Sequence, residues 1–100
     1  MKWLETVRLR TAGVGQRKVV SELSRVIQDA RNQKKDLGLL DLTYYVHASI
    51  PGYVAIHLFW DTESPQILGS LTGLSLTQML KSFGLVDHSV WICESPYPPL

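Results

Sequence analysis

Two histidines, His47 and His57, flank Pro51-Gly52 within an aromatic-rich stretch that runs from Tyr44 to Trp60. An imidazole beside tyrosine and tryptophan can serve as a general base, a metal ligand or a polar anchor for an aromatic substrate. No third ligand stands at a recognisable spacing from the pair, so no metal site is expected. Arg8, Tyr45 and Trp91 are the other side chains that would join them on one surface, and an acidic substituent would match Arg8. The candidate ligand-binding residues are thus His57, His47, Tyr45, Arg8 and Trp91, with His57 first because it lies mid-strand on a central strand. His88 is expected on the core side as a buried-edge histidine. Cys93 has no basic neighbour in sequence and reads as a structural thiol. No Gly-rich phosphate loop, Ser-His-Asp order or paired-carboxylate site is recognisable, and no cofactor is expected.

The elements that must position these side chains emerge from periodicity. Residues 3–11 alternate as a strand, with Trp3, Val7 and Leu9 on one side and Leu4, Thr6, Arg8 and Arg10 on the other. Gly13 and Gly15 end it. Val19, Val20, Leu23, Val26, Ile27 and Ala30 form one apolar stripe on a helix over residues 16–33. Lys34 and Lys35 then form a solvated, cation-favouring helix end. Strands are expected over 39–49 and 53–60. Ser64-Pro65 resembles a helix start. Gly69 and Gly73 interrupt the next stretch, and a clearer helix is expected over 75–83, with Gly84 at its C′ position. A last strand covers 85–94.

This order, βαββαβ, is the ferredoxin-like α+β arrangement: a four-stranded antiparallel sheet in the order 4-1-3-2, with two helices on one face. Leu40, Leu42, Tyr44, Val46 and Ala48 should face the helices, as should Val54, Ile56, Leu58, Trp60, Val90 and Ile92. Tyr45, His47, Tyr53, His57, Phe59, Ser89, Trp91 and Cys93 are then left on the open face. Two parities compete at the hairpin. A two-residue loop at Pro51-Gly52 sets His47 opposite Ile56 and sends His57 to the other face. An odd-length loop or a bulge puts both histidines on one face. The poor fit of a type II turn to hairpin twist favours the second parity.

The open face of this sheet is aromatic and apolar where a solvated face would be polar, so something should cover it. A homodimer through open sheet faces is expected. The chain is long enough for one domain, 1–100, with 95–100 as an extended Pro-rich tail. Hydrophobic residues make up 45% and charged residues 19%, which fits an ordinary globular chain. The net charge of +1 argues against general binding to nucleic acid or acidic membranes. One cysteine allows no internal disulfide, and no apolar run approaches a leader or membrane span. A cytoplasmic location without membrane association is expected.

The element order, the length and the segment Phe83-Gly84-Leu85-Val86-Asp87-His88-Ser89-Val90-Trp91 resemble the dimeric α+β barrel superfamily, which includes antibiotic-biosynthesis-type monooxygenases. The resemblance implies pairing of open faces about a twofold axis and a pocket between sheet and helices. Tyr44, Trp60 and His88 would lie near such a pocket. Cofactor-free monooxygenases and haem-degrading relatives use an asparagine beside Trp, Tyr or His. The only asparagine here is Asn32, near the end of the first helix, and nothing on a strand replaces it.

The functional expectation is a small dimeric barrel protein, either a monooxygenase-like enzyme or a binder of a small aromatic or apolar ligand. The alternative is a non-enzymatic dimerising interaction protein. An RNA-binding module shares the element order but is disfavoured: Pro51 stands where such modules carry a basic residue, and the charge is low.

Overall fold

A computed structural model describes residues 1–11, 16–33 and 37–95. The chain runs β1 (Lys2–Thr11), α1 (Gln16–Gln33), β2 (Leu39–Val46), β3 (Tyr53–Asp61), α2 (Leu71–Leu80) and β4 (Gly84–Ile92). The sheet order is β2-β3-β1-β4, and every neighbouring pair is antiparallel. This is the ferredoxin-like α+β fold expected from the periodicity. The expectations for Gly13, Gly15, Lys34 and Lys35, and for the tail beyond Ser95, lie outside the described residues.

The two faces of the sheet separate by parity. Trp3, Val7 and Leu9 of β1 and Val54, Ile56, Leu58 and Trp60 of β3 are all buried. They meet Val19, Leu23 and Ile27 of α1 and Leu76 and Leu80 of α2, which completes the core. Trp3 and Trp60 are cross-strand partners whose rings stack 5.3 Å apart at 13°. Tyr44 reaches α1, where its hydroxyl and that of Ser24 lie 2.7 Å apart.

Five expectations are corrected. Strand β2 ends at Val46, and residues 48–49 belong to the hairpin loop. Leu40 does not face the helices. The β2–β3 register shifts between Leu39 and Asp41, and the bulge leaves Leu40 59% exposed. Ile92 has the helix-side parity, opposite Trp3, but it lies at the sheet end and is half exposed. Helix α2 begins neither at Ser64-Pro65 nor at Ser75. Its N-cap is Ser70, whose Oγ accepts from Gly73 N at 2.9 Å, and Gly73 lies inside the first turn. The helix ends at Leu80, so Gly84 opens β4 instead of capping α2.

Candidate functional site

The hairpin decides the site. Val46 pairs with Val54, and His47 N donates to Tyr53 O at 2.8 Å, so five residues, 48–52, form the loop. An odd count keeps His47 on the same face as His57, which is the parity that the turn chemistry favoured. Gly52 takes a φ of 77°, as its turn position requires. The His47 ring holds the loop in shape: Nδ1 accepts from Ser49 N at 3.1 Å and from Ile50 N at 2.9 Å. Its Nε2 is the nitrogen left for other work.

The strand register then builds a cleft around Ala55. Across the sheet, Ala55 has Arg8 on one side and Tyr45 on the other. Along β3 its same-face neighbours are Tyr53 and His57. A small residue among four large ones makes a depression whose floor is Ala55. Arg8, Tyr45, Val46, His47, Tyr53, Ala55 and His57 line it, with a volume of about 400 Å³. The rings support one another. His47 stacks on Tyr53 at 5.5 Å and 11°, while Tyr45 meets His57 at 5.0 Å and 59°. Phe59 braces His57 edge-on at 6.2 Å. Burial, and then the nearby Arg8 guanidinium, lower the His57 pKa below its ordinary value. Its imidazole is therefore neutral at pH 7 and presents one donor and one acceptor.

Trp91 shares the open face but not this cleft. The β1–β4 register sets Trp91 opposite Leu4, whereas Arg8 lies opposite Asp87. Trp91 lines a second cleft of about 410 Å³, with Leu4, Leu40, Phe59, Ile92 and Cys93 among its walls. That lining is mostly apolar. Trp91 is 55% exposed, and its Nε1 donates to Ser89 Oγ at 2.9 Å.

Between sheet and helices lies a polar centre that sequence reasoning missed. Glu5 is fully buried. Its Oε1 accepts from Ser70 Oγ at 2.6 Å and from Trp60 Nε1 at 3.2 Å. Its Oε2 accepts from Ser70 N at 3.0 Å and shares a 2.6 Å hydrogen bond with His88 Nε2. Trp60 and His88, both expected near the helix-side layer, therefore meet on one carboxyl group. His88 is the mostly buried histidine foreseen, but it lies mid-strand with a specific partner. The signal for Glu5 was present: it is the one acidic residue at the apolar parity of β1, between Trp3 and Val7. Among the described residues, no group of three or more His, Cys, Asp or Glu side chains is arranged to hold a metal ion. No described helix is long and apolar enough to cross a membrane.

The four-stranded antiparallel sheet in the order β2-β3-β1-β4, with its two helices, is a fold shared with several solved structures. Rv0793 from Mycobacterium tuberculosis matches with a TM-score of 0.71 at 14% identity, over 98% of this chain and 100% of that one. A variant of SnoaB, a cofactor-independent oxygenase from Streptomyces nogalater, matches with a TM-score of 0.70 at 12% identity over 98% of each chain. A protein described as an antibiotic biosynthesis monooxygenase matches with a TM-score of 0.65 at 10% identity, over 93% of this chain and 97% of that one. At these identities the likeness establishes the fold. No protein-family model matches the sequence, and no curated protein does.

Proposed function

We propose that this chain is a homodimeric α+β barrel protein that binds a small aromatic ligand in the cleft over Ala55. The observation that carries the reading is the convergence of Arg8, Tyr45, His47 and His57 on one concavity with a small-residue floor. Ligand sites of this kind are mostly apolar walls with a few polar groups that set orientation. His57 is the orienting group, with His47 Nε2 and Arg8 beside it. The test is binding of aromatic compounds followed by NMR. His57→Ala should weaken binding at least tenfold, about 1.4 kcal/mol. Ala55→Leu should fill the floor and abolish binding. Binding indifferent to both would move the site to the helix side, near Trp60 and His88.

The two clefts divide the work of the open face. The apolar one, with Leu4, Phe59 and Trp91, is suited to a second copy of the chain, whose covering would remove exposed aromatic surface from water. Leu40 and Leu85 add exposed apolar surface to the sheet. An obligate dimer would bury about 2,000 Å² or more in total. Sedimentation should show a dimer at micromolar concentration, and a stable monomer there would remove this part of the reading.

Oxygenase chemistry, as in the name of SnoaB, would be the enzymatic form of the same ligand role. The asparagine implied by the resemblance has only Asn32 to offer, in α1, so binding is the function we put forward. We place the protein in the cytoplasm as one domain over 1–100, a setting consistent with its single cysteine.

A further inference from the structure

We propose a second site, on the helix side of the sheet, where His88 is a general base. Its Nδ1 takes a proton from the carbon beside the carbonyl of a small, apolar β,γ-unsaturated ketone and returns it to the far end of the double bond.

The imidazole is held as a base must be. Glu5 is fully buried and already has the Trp60 Nε1–H, the Ser70 N–H and the Ser70 hydroxyl as donors. Among donors, the carboxyl group also accepts the Nε2–H of His88 at 2.6 Å, which fixes the tautomer and leaves Nδ1 bare. Nδ1 has no hydrogen-bond partner among the described residues. No buried side-chain nitrogen or oxygen among them lacks a partner, so Nδ1 reaches solvent. The route is the sheet edge: β4 is an edge strand, and His88 shares the helix-side parity of Val86 and Val90. The open face, which a second copy would cover, lies on the other side of the sheet from this nitrogen.

Gly69 supplies the rest of the site. It takes a φ of 109° and packs so closely on the ring that a Cβ there would fall 2.8 Å from His88 Cε1. The same residue lines a cleft of about 480 Å³ whose other walls are Pro65, Gln66, Ile67, Leu68 and Leu71. That lining carries no charge, which suits an uncharged carbon skeleton. A base acting alone can carry a proton between two carbons. The C–H electron pair of the ketone becomes a dienolate, and the imidazolium returns the proton to the γ-carbon. The double bond moves into conjugation, so atoms and electrons balance with no co-reactant.

The probe is the β,γ-isomer of cyclohexenone, given to the full chain. Ultraviolet absorbance follows the conjugated product, and NMR in deuterium oxide follows the exchanged protons. The parent should outpace an equal concentration of free imidazole by at least about a hundredfold. His88→Gln keeps an amide donor for Glu5 and should return the rate to that of imidazole or below. Glu5→Gln tests positioning and is read where that variant is fully folded. The imidazole nitrogen NMR spectrum should change from the single Nε2–H form to a mixture of tautomers. Turnover should fall about tenfold or more, a pair of effects that lost stability alone would not produce. A parent no faster than imidazole, a rate that survives His88→Gln, or an Nδ1–H tautomer in the parent would each overturn the proposal. The tautomer and the excess rate are both read on the parent, so the proposal stays falsifiable even if a variant fails to fold.

Discussion

Replacing Glu5 with alanine is expected to destabilise the protein by about 3–5 kcal/mol, the range for removing one member of a buried polar pair. That is a large part of the roughly 5–15 kcal/mol that holds a domain together. The size reflects what the carboxyl group does. Its two oxygens take hydrogen bonds involving Trp60 of β3, Ser70 at the start of α2 and His88 of β4. No buried side-chain nitrogen or oxygen among the described residues lacks a partner, so the network is complete. Truncation leaves several groups without an acceptor, at about 1–3 kcal/mol for each that stays dry. It also opens a cavity between sheet and helix. Glu5→Gln keeps the volume but not the pattern. Oε1 receives the fixed N–H of Trp60 and Oε2 the fixed backbone N–H of Ser70, so an amide NH₂ meets a donor whichever way it is turned. The glutamine variant should fall between parent and alanine. Urea denaturation measures all three, and a loss under about 1 kcal/mol for alanine would show that water had entered and replaced the lost partners.

Gly73→Ala should destabilise by about 2–4 kcal/mol, from overpacking together with disrupted hydrogen bonds. The sign is opposite to the usual one. In an exposed helix interior the same change is favourable by about 1 kcal/mol. Here α2 presses its first turn onto the Glu5 carboxyl group, and a Cβ at Gly73 would overlap that group. The backbone N–H of Gly73 also donates to Ser70 Oγ, which donates onward to Glu5. The two substitutions must therefore couple. In a Glu5→Ala background the obstruction is gone, and Gly73→Ala should be neutral or stabilising. A double-mutant cycle reads this directly. Additive losses would mean that Gly73 is required for a reason unrelated to Glu5.

These two residues show where sequence reading succeeds and where it stops. The face assignments of β1 and β3 were legible because Trp3, Val7 and Leu9, and Val54 to Trp60, alternate without error, and period 2 maps directly to sides of a sheet. The cleft residues were legible once the hairpin parity was chosen. That choice rests on turn chemistry alone, because either parity gives β2 an apolar side. Trp91 was placed on the correct face but grouped with the wrong cleft, since alternation fixes a face and not the offset between β4 and β1. The Leu40 bulge arises from pairing with β3, which no local pattern in β2 encodes. The start of α2 was missed for a related reason. Gly73 reads as an interruption when only helix propensity is considered. It becomes a requirement once a buried carboxyl group from a distant strand lies beneath it.

The tryptophans give the molecule built-in optical reporters. Trp3 and Trp60 form a nearly parallel pair that is almost wholly shielded, while Trp91 stands alone on the open face. Two indoles held this close couple their excited states, so the pair should mark the folded chain with an exciton signature in circular dichroism. A quencher dissolved in water should reach Trp91 and leave the pair untouched. A change in quenchable emission would then report on events at the open face, and a change in the coupled signal on the integrity of the layer beneath. Self-association and unfolding, which a single buried tryptophan would confuse, become separable in one cuvette without a label.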